Sequence, residues 1–147
     1  MAINNIVDES FIINQKKLKQ FGDRCSNVKI GIMGGTFDPI HYAHLATAEF
    51  IRDNYKLDKI LFIPSGNPPH KKGNITDKYD RYNMVLLSTV NNDDFIVSDI
   101  EIKREKSTYT IDTLKVLKQI YKNEEIYFIR SEERREGKEG KIRLEGE

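Results

Sequence analysis

The chain has 147 residues, 38% of them hydrophobic, and its 24 Lys and Arg against 23 Asp and Glu give a formal net charge of +1. This size suits one domain with one core, and the balanced charge gives no bulk attraction to nucleic acid or to a membrane surface. Cys25 is the single cysteine, so no intramolecular disulfide can form, and the absence of a signal-peptide or membrane-spanning apolar run leads us to expect a soluble, cytoplasmic protein.

Residues 1–26 form an N-terminal extension for which one short, peripheral helix is predicted. Ser10 is a candidate N-cap and Gly22 a candidate stop for this helix. The apolar residues between them are Phe11, Ile12, Leu18 and Phe21.

Apolar runs then alternate with helical patterns. Strands are predicted at 28–33, 59–63, 95–98 and 125–129, and helices at 42–54, 79–90 and 110–121. Such alternation predicts right-handed βαβ units in an α/β fold, with a parallel sheet and flanking helices. Continuous apolar runs such as KILFIP are typical of strands covered on both faces. Ligands of such sheets bind beyond the carboxyl ends of the strands.

The segment between the first predicted strand and the first predicted helix after it reads GGTFDPIHYAHL, residues 34–45. Gly34 and Gly35 lack a Cβ, so the backbone can adopt a positive φ and a phosphate can approach its N–H groups. A helix opening near His41 adds unpaired N–H donors and the positive end of its dipole. His41 and His44 are three residues apart on one face of the first turn, where they can stabilise charge developing on a phosphate. This segment predicts a phosphoryl or nucleotidyl transfer site.

Two alternatives to that interpretation are weak. The histidines could bind a metal, but only His70 and scattered carboxylates remain as further ligands, none with a zinc-type spacing, so we expect no metal site there. GIMGG matches neither GxGxxG nor a Walker A loop, which argues against dinucleotide oxidoreductases and P-loop NTPases.

GGTFDPIHYAHL resembles the H-x-G-H signature of a nucleotidyltransferase superfamily, and more closely that of bacterial nicotinate-nucleotide adenylyltransferases. The resemblance runs from about Val28 to Ile129, and further matching segments follow in order: FIPSGNPPHKK (62–72), DRYNMV (80–85) and SDIEIKREKSTYTIDTL (98–114). This sequence departs from the family's pattern at Ala43, where the motif usually has glycine, and at Thr108, where serine is usual. Alanine favours a helix over glycine by about 1 kcal/mol, so we expect Ala43 to be tolerated.

The resemblance implies a Rossmann-like nucleotidyltransferase fold and adenylyl transfer from ATP to nicotinate mononucleotide, giving deamido-NAD and pyrophosphate. Mg²⁺ would accompany ATP, and the two histidines would be catalytic, with His44 on the α-phosphate and His41 on a neighbouring phosphate oxygen. The residues expected to bind ATP or phosphate are Gly34, Gly35, Thr36, Phe37 and Asp38. The residues expected to bind the second substrate are His70, Lys71, Lys72, Tyr109 and Thr110.

Three polar residues have more than one interpretation. Asp38 could face the Mg²⁺-bound triphosphate, but we favour a turn-shaping role because it precedes Pro39. Arg81 and Arg104 are either structural or phosphate-facing, and the sequence does not decide between the two.

The predicted domain covers residues 27–129, and the composition changes after it. Residues 130–147 read RSEERREGKEGKIRLEGE, in which only Ile142 and Leu144 are large and apolar, so we expect a disordered tail. The C-terminal segment that grips the ATP phosphates in the family has no counterpart here, and RSEERREGKE resembles a translated sequencing adapter. We therefore expect the native sequence to be cut at about Ile129, with a genuine charged tail as the alternative.

The sequence also leaves other functions open. A different small-phosphate nucleotidyltransferase, such as phosphopantetheine adenylyltransferase, is one alternative, against which PPHKK and STYTIDTL argue. A truncated nucleotide-binding remnant without turnover is another. An aminoacyl-tRNA synthetase carries a similar histidine motif, but this chain is too short and lacks the accompanying Lys-rich loop.

Overall fold

The computed structural model describes residues 2–22, 28–68, 73–106, 110–121, 124–131 and 142–146. In chain order, the elements are α1 (Ala2–Gly22), β1 (Lys29–Gly35), α2 (Tyr42–Asn54), β2 (Lys59–Pro64), α3 (Lys78–Thr89), β3 (Phe95–Val97), α4 (Thr110–Ile120), β4 (Glu125–Ser131) and β5 (Ile142–Gly146). Each strand and helix predicted between residues 28 and 129 is present with bounds close to those expected. None of the helices in the described part of the chain combines the length and apolarity needed to cross a bilayer.

The strands form one sheet in the order β3-β2-β1-β4-β5. β1 pairs in parallel with β2 and β4, and β2 pairs in parallel with β3. The predicted Rossmann-like parallel sheet is therefore confirmed for these four strands. The chain moves outward from β1 through β2 to β3 and then returns to add β4 on the other side of β1. That reversal opens a crevice at the carboxyl ends of β1 and β4, which is where such sheets bind ligands.

The backbone beyond Ile129 differs from the expectation of a disordered tail over residues 130–147. The next two residues extend β4, and residues 142–146 form β5, which pairs with β4 in antiparallel fashion. A charged composition prevents a segment from forming a core, but it does not prevent backbone pairing with an otherwise open strand edge. The short alternation of apolar and polar residues in IRLEG suits such pairing.

Apolar side chains cover both faces of the sheet because alternate residues of each strand point to opposite sides. The cluster beneath α2 and α3 includes Met33, Ile60, Phe62, Phe95 and Ile129. The cluster beneath α4 includes Ile30, Ile32, Leu61, Ile63 and Ile96. The continuous apolar runs of the strands are thus explained by helices on both sides.

Helix α1 is longer than predicted and lies against α3 and β3. Ser10 is inside the helix, where its hydroxyl donates to the Ile6 carbonyl at 2.8 Å, so the prediction that Ser10 is the N-cap is wrong. The side-chain amide of Asn14 is buried, donates to the Val97 carbonyl at 3.0 Å and accepts from the Val97 N–H at 2.9 Å. α1 is therefore fixed to β3 through both backbone polar groups of one strand residue.

The ammonium of Lys17, one turn further along α1, lies among carbonyl oxygens at the end of α3 and the turn that follows. Its Nζ lies 3.2, 3.4, 2.8 and 3.1 Å from the carbonyl oxygens of Thr89, Val90, Asn92 and Phe95, which share its three protons. The last carbonyls of a helix have no partner within the helix, so the ammonium satisfies groups that would otherwise need water or another donor. Burial lowers the pKa of Lys17, and the nearby Asp93 opposes that change.

We expect Lys17→Met to lower the free energy of unfolding by about 2–3 kcal/mol, because it removes a charged donor from partly buried carbonyls. The neighbouring Lys16 is exposed, so Lys16→Met makes the same chemical change without that loss and should shift stability by less than about 0.5 kcal/mol. Urea denaturation followed by circular dichroism measures both. Equal midpoints for the two variants would contradict this assignment.

Candidate functional site

The main cavity, about 490 Å³ in volume, lies where β1 ends and α2 begins. Its position follows from the fold, since it occupies the crevice at the carboxyl end of the central strand. The structure brings together seven of the predicted site residues along its wall, namely Gly34, Gly35, Thr36, Phe37, Asp38, His41 and His44. Ala43, the departure from the usual motif, is exposed and also lines the cavity.

The two histidines are in contact at the start of α2. Their rings are stacked with centroids 3.8 Å apart and planes 29° apart. The backbone N–H of His41 donates to Nδ1 of His44 at 3.1 Å, which caps the helix. Because Nδ1 accepts this hydrogen bond, the proton of the neutral His44 ring is on Nε2, which makes Nε2–H a hydrogen-bond donor.

The ring of Phe37 fixes the other side of His44. The two ring centroids are 5.1 Å apart in an edge-to-face arrangement, and the Phe37 side chain is buried. Phe37 has a φ of 51°, whereas among the described glycines only Gly73 has a positive φ. Gly34 and Gly35 end β1 in extended conformation and do not use their freedom to adopt a positive φ. The sharp turn out of the strand is made by Phe37 instead.

Asp38 and Arg81 tie this loop to the segment before α3. The Asp38 carboxylate accepts from the Thr76 N–H at 3.0 Å, an arrangement consistent with the favoured turn-shaping role. The guanidinium of Arg81 is buried and donates to the Thr36 carbonyl at 2.9 Å. Burial lowers the pKa of Arg81, and the charges of Asp38 and Asp77 oppose this, but an arginine stays protonated under all ordinary conditions. Arg81 therefore places a permanent positive charge behind the loop.

A second cavity of about 220 Å³ adjoins the first, and the two share Gly34, Gly35 and Thr36 as a common wall. Its apolar lining comes from Ile32, Ile63, Leu114 and Phe128. Its polar lining includes Ser65, Glu101, Thr110 and Thr113. Ser65 Oγ is buried and has no hydrogen-bond partner among the described residues. Of the residues predicted for the second substrate, Thr110 lies here.

The loop after β2 is held against residues 101–105 by close contact and hydrogen bonds. Gly66 is packed so tightly that an added Cβ would overlap the Glu101 carbonyl oxygen. The Asn67 amide donates to the carbonyls of Arg104 and Glu105 at 3.3 and 3.0 Å. The side chain of Arg104 donates to Thr113 at 3.2 Å, so this arginine has a structural contact in α4. These contacts fix the wall of the second cavity.

Four of the predicted binding residues, His70, Lys71, Lys72 and Tyr109, lie outside the described residues. Their proposed roles remain predictions from the sequence. Within the part of the chain that the structure describes, no three His, Cys, Asp or Glu side chains group closely enough to hold a metal ion.

Ser65 was missed by the sequence reasoning, and the role of Arg81 was left open. Ser65 immediately follows β2, and the carboxyl end of a strand next to the central one is a position from which it could have been proposed. The partners of Arg81 are backbone carbonyls in three separate segments, and no residue type in the sequence marks those positions.

Comparison with known proteins gives one family match. The cytidylyltransferase-like family matches residues 32–139. A probable nicotinate-nucleotide adenylyltransferase from Thermoanaerobacter sp. (strain X514) is 59% identical over 104 residues, which cover 69% of this chain and 49% of that protein. One of the same description from Desulfitobacterium hafniense (strain Y51) is 54% identical over 102 residues, with the same coverage. The chain thus spans about half the length of the curated relatives it matches.

Two solved structures are similar in fold. Plasmodium falciparum nicotinic acid mononucleotide adenylyltransferase complexed with NaAD superposes with a TM-score of 0.61 at 28% identity, covering 69% of this chain and 51% of that one. The same enzyme complexed with APC gives a TM-score of 0.56 at 27% identity, covering 69% of this chain and 50% of that one.

Proposed function

The chain belongs to the cytidylyltransferase-like family, and we propose that its site transfers the adenylyl group of ATP to the phosphate of nicotinate mononucleotide, giving deamido-NAD and pyrophosphate. The observation that carries this proposal is the pair of cavities that share the wall Gly34–Thr36, one of which contains the stacked histidines. Two adjoining cavities suit a reaction that joins two phosphorylated molecules. The names of the relatives at 59% and 54% identity support the choice of substrates.

In this proposal the triphosphate of ATP occupies the larger cavity, next to His41 and His44. A phosphate oxygen of the mononucleotide attacks the α-phosphorus in line, and the bond from that phosphorus to the bridging oxygen of the β-phosphate breaks. Pyrophosphate leaves with the electron pair of that bond. No covalent enzyme intermediate is required, so the protein positions the two reactants and stabilises charge.

The proposed role of His44 is to donate a hydrogen bond from Nε2–H to an α-phosphate oxygen as negative charge builds up there. Its Nδ1 contact with the His41 N–H and its contact with the Phe37 ring hold it in one orientation before substrate arrives. A donor fixed in advance stabilises a transition state more than one that must reorganise. The N-terminal end of α2 adds the positive end of its dipole to the same region.

The smaller cavity is proposed to hold the pyridine ring of the mononucleotide. Its apolar side chains suit an aromatic ring, and the hydroxyl of Thr110, an exposed residue of the lining, suits a polar substituent. The shared wall would then lie beside the phosphate that attacks.

ATP would bring Mg²⁺ with it, and the ion would supply positive charge against the triphosphate. Mg²⁺ usually keeps several waters and binds through one or two carboxylates plus substrate phosphates. Asp38 fits such a role because its carboxylate belongs to a residue that lines the larger cavity, although one oxygen already accepts from the Thr76 N–H.

The test is a pyrophosphate-release assay on the full chain with ATP or CTP as donor. The acceptors are nicotinate mononucleotide, nicotinamide mononucleotide and phosphopantetheine. We expect turnover with ATP and nicotinate mononucleotide, and a product with the mass of deamido-NAD. Turnover with phosphopantetheine alone would assign a different acceptor, and no turnover with any pair would contradict the proposal.

A further inference from the structure

Among the residues that the structure describes, Arg81 has one of the largest fully buried side chains, with 1% of its surface exposed. It lies in the first turn of α3, whose start is fixed by Asp77, because the Asp77 carboxylate accepts from the N–H groups of Tyr79 and Asp80 at 2.9 and 3.3 Å. A buried arginine is costly unless its donors are satisfied. Its partners therefore indicate why it is there.

The guanidinium contacts three separate loop segments through backbone carbonyl oxygens. Nε donates to Thr76, one terminal nitrogen donates to both Thr36 and Ser65, and the other donates to Gly66, at 2.8, 2.9, 2.6 and 3.0 Å. All four acceptors belong to the main chain, so the side chain fixes backbone positions. It joins the loop after β1 to the loop after β2.

Those two loops are the ones that form the paired cavities. Thr36 belongs to the wall that both cavities share, and Ser65 lines the smaller one. The Ser65 N–H also donates to the Gly35 carbonyl at 2.8 Å, which continues the β1–β2 pairing to the edge of the site. A shift of either loop would therefore change the distance between the molecules bound in the two cavities.

We propose that Arg81 is a positioning residue that sets the separation of the two substrates. The inference rests on the proposed two-substrate reaction. Arg81 acts through the backbone of the two loops and not by contact with the reacting phosphates. A lysine cannot replace it, because three different guanidinium nitrogens bind these carbonyls and a single ammonium nitrogen cannot occupy all three positions.

The first test compares Arg81→Lys with Arg52→Lys. Arg52 lies on α2 and pairs with Glu49 and Asp94 at the surface, so it supplies the same substitution away from the cavities. We expect Arg81→Lys to lower kcat by about 10²-fold, the scale for a misplacement of about 1 Å, while the KM of each substrate changes by less than about threefold. Arg52→Lys should retain the parent kcat.

A merely structural role gives a different result. Arg81→Lys would then melt at a lower temperature, but its folded fraction would keep the parent kcat, and that outcome would overturn the inference. So would a rise in KM with no change in kcat, since this would make Arg81 a binding residue.

Amide hydrogen exchange separates this inference from the proposed function. If the parent shows no turnover, the proposed reaction fails, but the link between the loops is still measurable. We expect the Ser65 and Gly66 amides to exchange about tenfold faster in Arg81→Lys, with no change in the amides of α2. Unchanged exchange at both residues would overturn the link.

If Arg81→Lys does not fold, the inference can still be tested on the parent chain by NMR of the Arg81 guanidinium. The guanidinium N–H resonances of Arg81 should shift when ATP alone is added and again when nicotinate mononucleotide is added, because its carbonyl partners border both cavities. Guanidinium resonances that respond to neither bound substrate would overturn the inference.

Discussion

Replacing His44 with alanine is expected to lower kcat for pyrophosphate release by about 10²–10³-fold, the usual loss when one preorganised donor to a developing charge is removed. The substitution also deletes Nδ1, which accepts the His41 N–H, so a small part of the effect could come from the start of α2. Steady-state kinetics together with a thermal melt measures the two contributions.

His44→Asn separates the loss of the phosphate-facing donor from the loss of the helix cap. The asparagine side-chain oxygen can accept the His41 N–H and preserve the cap, but the donor at the position of Nε2 is absent. We therefore expect parent-like stability with a kcat close to that of His44→Ala. Tyr42→Phe, two residues before His44 and at a side chain that is 83% exposed, is the control and should retain activity. A parent-like kcat in His44→Asn would remove His44 from the proposed mechanism.

Gly66→Ala is expected to cost about 3 kcal/mol of unfolding free energy, at the upper end of typical overpacking penalties. The added methyl would meet the backbone of Glu101, which cannot rotate away as a flexible side chain could. Either the loop after β2 or the segment 101–105 must move, and the first of these is held by Arg81. We therefore expect weaker binding of nicotinate mononucleotide as well.

Gly34→Ala is the matched control for stability. A Cβ there would come no closer than 3.9 Å to the Ile63 carbonyl oxygen, an ordinary contact. Its unfolding midpoint in urea should lie near that of the parent, although ligand binding can change because Gly34 lines both cavities. Equal stability of Gly66→Ala and Gly34→Ala would show that the loop contact is loose.

The order of strands and helices could be predicted because their signals are local. Apolar runs bounded by turns identified β1, β2 and β4, and the histidine motif could be placed on the turn after β1. The parallel sheet then determined that this turn and the loop after β2 lie at the same edge. The seven motif residues that line the larger cavity follow from those two steps.

The features that could not be predicted depend on contacts between distant segments. A serine followed by an apolar helical pattern looks like an N-cap, and the residues before Ser10 gave no local signal that α1 begins at Ala2. Phe37 combines a positive φ with a buried ring, and its residue type does not mark it for such a conformation, which glycine adopts more readily. The backbone partners of Arg81 are equally invisible in the sequence.

The contact between Asn14 and Val97 has a consequence for association between chains. β3 is the outermost strand on its side of the sheet, and an open outermost strand can recruit a strand from another molecule. The Asn14 side chain forms hydrogen bonds with the outward-facing N–H and C=O of Val97, as a neighbouring strand would. Helix α1 covers this edge of β3. A helix thus protects this edge against intermolecular β-addition. Asn14→Asp, which replaces a donor with an acceptor facing the Val97 carbonyl, should therefore increase aggregation.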